Sequence, residues 1–111
     1  MYFEERRVRY RCVSNLWGTA GEEFPSLDAF KRRILRMGYA PPKVSFDPEL
    51  GAWVVKAYFV RLEESLGRPS LIYEGDPRFK ASTWRAKGQK TFPVLVEVST
   101  QESKNITGEP S

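Results

Sequence analysis

The chain has 111 residues, 41% hydrophobic and 29% charged, with 18 Lys and Arg against 14 Asp and Glu for a net charge of +4. That is the size and composition of one ordinary globular domain, and it argues against wholesale disorder. There is no histidine and one cysteine, Cys12. Those counts exclude an internal disulfide framework, a Cys/His zinc site and every His-dependent triad.

No stretch approaches the ~18 consecutive apolar residues of a membrane-spanning helix, so no membrane partner is expected. Glu4, Glu5, Arg6 and Arg7 follow Tyr2 and Phe3 directly, which leaves no apolar signal-peptide core. A lone thiol suits a reducing compartment. The expected location is the cytoplasm, and Asn105-Ile106-Thr107 reads as an unused glycosylation tripeptide.

From Arg6 to Ser14 the chain alternates, with Val8, Tyr10 and Cys12 on one side and Arg7, Arg9 and Arg11 on the other. Period two predicts a strand with one buried face and one wet face. Asn15 to Phe24 reads as a loop. Ser26 then suits a helix N-cap, with Asp28 where the dipole favours negative charge. At 100° per residue, Leu27, Phe30, Ile34 and Met37 form a core-facing stripe. Gly38 suits the left-handed position after the helix, and Pro41 and Pro42 forbid continuation.

Val44 and Phe46 begin a second strand, and Asp47-Pro48-Glu49-Leu50-Gly51 has the chemistry of a hairpin turn. The third strand, Ala52 to Leu62, is largely apolar on both faces, as expected of a central strand covered twice. Glu63 to Pro69 reads as a turn, Ser70 to Tyr73 as a short strand, and Gly75 to Lys90 as irregular. Thr91 to Ser99 alternates again, placing Phe92, Val94, Val96 and Val98 on one face. Pro93 makes it an edge strand or one that begins at a bulge.

The expected fold is therefore α+β, one amphipathic helix on a mostly antiparallel sheet of four to five strands in the order β-α-β-β-β-β. Residues 1–99 form the expected single domain, and residues 100–111 a disordered tail. No second helical pattern is visible, so ferredoxin-like, winged-helix and double-stranded-RNA-binding arrangements do not fit.

Catalytic signatures are missing. The glycines are scattered singly, and the carboxylate pairs Glu4-Glu5, Glu22-Glu23 and Glu63-Glu64 are adjacent residues that face opposite ways on a strand. Cys12 has no histidine to activate it and reads as a small core residue. Neither an enzyme nor a cofactor is expected.

Three basic groups remain. Arg7, Arg9 and Arg11 form a row spaced roughly 6.5–7 Å along a strand, close to the spacing of phosphates on an extended nucleic acid. They can instead cover apolar neighbours or pair with cross-strand Glu. Arg32, Arg33 and Arg36 lie with Lys31 on the outer helix face, without evident acidic partners.

The third group, Arg78, Lys80, Arg85, Lys87 and Lys90, carries no intervening acid and includes Phe79 and Trp84. Those rings either stack on unpaired bases or anchor a long loop over the far face of the sheet. The expected function is a non-catalytic binding module for nucleic acid or a nucleoprotein surface. The alternative is a small protein-binding inhibitor or adaptor that docks on an acidic protein surface. Self-association through Tyr2, Phe3 or an edge strand is a third possibility.

Overall fold

Apolar residues on both faces of a strand demand a cover on each side, and that demand organises this molecule. The computed structural model describes residues 4–61 and 70–103. Tyr2, Phe3, Leu62, the turn expected at 63–69, the Asn105-Ile106-Thr107 tripeptide and the chain from residue 104 onward lie outside the described residues.

The order is β1 (Glu4–Cys12), β2 (Glu23–Phe24), α1 (Leu27–Arg36), β3 (Val44–Asp47), β4 (Ala52–Val60), β5 (Ser70–Tyr73), α2 (Ala81–Ala86) and β6 (Thr91–Ser103). The strands form an antiparallel sheet in the order β2-β1-β6-β4-β3, with β5 also paired to β4. The fold is α+β, as expected. Two elements exceed the expectation: β2 within the predicted loop, and α2 within the stretch read as irregular. In addition, β6 runs four residues beyond Ser99, because its pairing with β1 continues to Ser103.

The helix α1 forms as its sequence dictates. The Ser26 side chain accepts a hydrogen bond from the Ala29 N–H at 3.0 Å. At the other end Gly38 takes φ 93°, the Gly38 N–H donates to the Leu35 carbonyl at 2.9 Å, and the Tyr39 N–H donates to that of Ile34 at 3.2 Å. This pair of bonds is a Schellman cap, which uses the freedom of glycine at the left-handed position. Phe30 and Ile34 are fully buried against Cys12, Val55, Ala57 and Leu95.

On β4, Ala57 points into that cluster, while the adjacent Tyr58 points to the other face and packs with Ile72 and Trp84. The second face is thus covered by α2. Its six residues have no side-chain cap, so packing rather than local propensity holds it in place. Losing the Trp84 side chain would cost about 3–5 kcal/mol on general grounds.

The proline question resolves at a bulge. Leu95 stands opposite Trp53, but Pro93 stands opposite Val54, so Val94 is an extra residue in β6. Pro93 therefore sits in an interior strand, at the irregularity where a missing N–H is tolerated. The extra residue also reverses the side-chain parity. Phe92, Val94 and Leu95 belong to the core on the α1 side, whereas Val96 and Val98 stand opposite Arg11 and Arg9 on the other face. The expectation that Phe92, Val94, Val96 and Val98 share one face fails for this reason.

The connection from β5 to α2 passes tightly under the segment that leaves α1. Glu74 bridges two strands, its N–H donating to Lys56 O and its carbonyl accepting from Lys43 N–H, both at 2.8 Å. Next to it Gly75 has φ 117°, and a Cβ there would strike the Pro41 carbonyl oxygen and lie 2.9 Å from Pro42 Cα. Gly75→Ala should therefore destabilise the fold by about 2–4 kcal/mol through strain and backbone collision. Gly18→Ala, with nothing within 4 Å of its Cβ, should cost less. Denaturant unfolding of the two variants checks the ranking.

Candidate binding surface

The sheet assigns the three basic groups to faces. Directly opposed residues share a face, so Arg11, Val96 and Ala52 lie together. Tyr58, an even number of positions along β4, is on that face as well. The arginine row and α2 are consequently on one side of the sheet, and α1 is on the other.

The arginines of the row are not free. Glu23 on β2 stands directly opposite Arg11. Its carboxylate accepts from Arg11 Nη2 at 2.8 Å and Nε at 3.1 Å, and from Arg9 Nε at 3.2 Å. These bonds, led by the one from Arg11, hold the Glu23 carboxyl below its ordinary range. The third member, Arg7, occupies the register position opposite Thr100. Two guanidinium groups thus share one carboxylate, and their opposed residues Val98 and Val96 are partly covered.

The helix group also has acidic partners, contrary to the expectation. Arg32 pairs with Asp28 one turn earlier at 2.9 Å. Arg33 meets Glu22 through two bonds of 3.2 Å, and this contact raises the Arg33 pKa. Sequence spacing concealed the second pair, because Glu22 lies outside the helix. Arg36 alone of the three makes no ion pair among the described residues.

The third group divides. Arg78 is pinned by Asp76, whose carboxylate accepts from Arg78 Nη2 at 2.8 Å, from Nε at 3.1 Å and from the Arg78 backbone N–H at 2.9 Å. Trp84 is buried, and its indole N–H donates to the Lys90 carbonyl at 2.6 Å. Lys56 Nζ lies 4.7 Å from its ring centroid. Phe79 packs on Tyr58 at 5.5 Å. The anchoring role is therefore the one these rings perform, and Trp84 presents no stacking face to a ligand.

Lys80, Arg85, Lys87 and Lys90 are exposed and make no ion pair among the described residues. Lys80, Lys87 and Lys90 line two shallow clefts that share Tyr58 and Lys87, and Arg85 lines neither. One, of 340 Å³, is lined by Arg61, Arg78, Lys80 and Lys87; the other, of 280 Å³, by Lys87, Lys90, Phe59 and Phe92.

The second cleft has a backbone cause. Lys56 O accepts from β5, whereas Ala57 N–H donates to Lys90 O just before β6 begins. Successive residues of a strand address opposite edges, so β5 and β6 flank β4 on different sides. β6 starts opposite Lys56, and Phe59 beyond it remains 54% exposed, edge-on to Phe92 at 6.3 Å. Sequence reasoning missed Phe59. Alternation assigned it to a covered face, and only the starting point of β6 exposes it.

One other aromatic row is open. On the α1 side, Trp53 touches Tyr10 at 5.1 Å and Phe46 at 4.8 Å, and Phe46 is 49% exposed. Exposed Glu97 stands directly opposite Tyr10, a charge that repels phosphate. Among the described residues no acidic or Cys cluster suits a metal ion, and no helix is long and apolar enough to cross a membrane. Cys12 is buried, with Sγ 3.3 Å from Ser14 O and 3.2 Å from Thr19 Oγ1, as a core residue should be. No family model matches the chain, and no curated protein or solved structure matches it.

The Asp76–Arg78 contact makes a pH prediction. Hydrogen bonding from Arg78 is the main cause that holds the Asp76 carboxyl below its ordinary value of 3.8. A depressed folded-state pKa stabilises the fold above the unfolded value, and that stabilisation is lost as pH falls through the folded value. Asp76→Asn should lower the melting temperature at neutral pH. The two melting curves should converge as the pH drops below the normal aspartate range, which a pH series of thermal melts measures.

Proposed function

We propose that the protein is a non-catalytic binding module that takes nucleic acid along the α2 flank. The observation that carries this reading is the set of three lysines without acidic partners among the described residues, Lys80, Lys87 and Lys90, lining two joined clefts with Phe59 at one end, and Arg85 exposed on α2 beside them. Unneutralised lysines and arginines release counterions from a phosphate backbone, and an exposed ring adds a sequence-tolerant stacking contact. Arg32 and Arg33 each face a carboxylate, and Arg9 and Arg11 share one, so these four contribute less than the unpaired cations. A buried single thiol accords with a cytoplasmic setting.

A protein partner is the second reading, in which the chain acts as an inhibitor or adaptor. The exposed Phe46, with the partly buried Trp53 and Tyr10 behind it and Glu97 nearby, favours it, because aromatics are common anchors of protein interfaces.

A titration of labelled single-stranded and duplex DNA and RNA against a salt series separates the two. Four phosphate contacts give a slope of log K on log salt of about −3 to −4. Lys87→Ala with Lys90→Ala should flatten that slope by about 1.5–2 and weaken binding about tenfold or more at low salt. Arg9→Ala with Arg11→Ala should leave the slope nearly unchanged. Absence of any binding at low salt would defeat the nucleic-acid reading and leave the protein partner.

A further inference from the structure

A cavity of 680 Å³ adjoins the α2 flank and has a different chemistry. Its walls include Trp17, Tyr39, Leu71 and Tyr73, with Asp76 and Arg78 at one side. The volume lies within the range of small-molecule sites.

Several bonds brace these walls. The Schellman cap of α1 places Tyr39, and the Tyr73 hydroxyl donates to Ala40 O at 2.6 Å. Gly75 lets the two sides approach to backbone contact. Trp17 is buried edge-on to Tyr73 at 5.3 Å, so it forms a fixed wall. Tyr39 is 48% exposed, and its side chain makes no hydrogen bond or ring contact among the described residues.

Arg78 lines both this cavity and the 340 Å³ cleft that holds Lys80 and Lys87. Asp76 pins its guanidinium through Nε and Nη2, while Nη1 makes no hydrogen bond among the described residues. Asp76 balances the Arg78 charge, but the spare N–H groups remain hydrogen-bond donors held in place with little entropy left to lose. An aromatic-lined cavity therefore lies on one side of a fixed donor, with lysines on the other to supply the charge. The ligand chemistry that matches is a flat ring joined to a phosphate.

We propose that this junction is a nucleotide subsite. The base enters the cavity against the Tyr39 ring, and its phosphate meets Arg78 Nη1 and Lys80. The inference rests on the nucleic-acid reading above and sharpens it to unpaired strands, since a base inside a duplex cannot reach the cavity.

The test compares three probes at low salt: a labelled single-stranded oligonucleotide, the same strand with abasic positions throughout, and free adenosine monophosphate as competitor. The intact strand should bind about tenfold tighter than the abasic one, the range expected of one stacked base. Tyr39→Ala should remove that difference without changing abasic binding, and Tyr39→Phe should retain it. Displacement by adenosine monophosphate would show that the subsite also accepts a free nucleotide; a preference for bases without displacement would assign it to strands.

Equal affinity of intact and abasic strands, with the Lys87 and Lys90 double variant still weakening both, would overturn the subsite and leave the flank reading standing. No binding of any probe would overturn both. Should Tyr39→Ala fail to fold, the comparison of intact with abasic strand in Phe59→Ala, which lacks the exposed ring of the α2 flank, decides: a retained preference supports the subsite and a lost one overturns it.

Discussion

Coverage of β4 on two faces is the constraint from which most of the molecule follows. Its odd positions, Trp53, Val55 and Ala57, face the α1 cluster, and Tyr58 faces Trp84 and Ile72. A single helix covers only one side of a sheet, so the far side draws in the nearest large apolar group of the later chain. That group is Trp84. Once its ring is buried and its indole N–H is satisfied by Lys90 O, the charged side chains of the segment, Lys80, Arg85, Lys87 and Lys90, lie exposed. The basic flank is thus a by-product of core formation, and its charges are displayed because the aromatic among them is hidden.

Charge is distributed by the same kind of geometry. Glu22 and Glu23 are neighbours at the start of a short strand, and neighbours on a strand serve opposite faces. Glu22 reaches Arg33 on α1, and Glu23 reaches Arg9 and Arg11 across the sheet. Both are half-exposed contacts of small individual worth. Their larger effect is on the surface potential, since they offset part of the charge of two of the three arginine-bearing regions and leave Arg36 unpaired among the described residues. On the α2 flank, Asp76 is engaged by Arg78, and Lys80, Arg85, Lys87 and Lys90 make no ion pair among the described residues. The charges that keep no acidic partner on the α2 flank are the ones open to electrostatic recognition.

A single extra residue, Val94, sets the relation between the two halves of β6. Before it, Phe92 faces the core on the α1 side. After it, Val96 and Val98 pass to the arginine face. The bulge lets Pro93 occupy an interior strand, and the resulting parity places apolar residues opposite Arg9 and Arg11, where long side-chain stems can cover them.

Local chemistry alone determined α1, with its Ser26 cap and Gly38 exit, the β3–β4 turn closed by Gly51 N–H on Asp47 O, the alternation of β1 and the two-faced character of β4. Each depends on neighbours within a few positions, where steric preference and period act directly. The tertiary structure alone decided which arginines are neutralised, where Trp84 goes, where Phe59 emerges and how Tyr39 and Arg78 meet around one cavity. These outcomes join residues that are distant in the chain, such as Arg9 with Glu23 and Tyr73 with Ala40. Which distant groups meet is set by strand order and register, and no local periodicity encodes either.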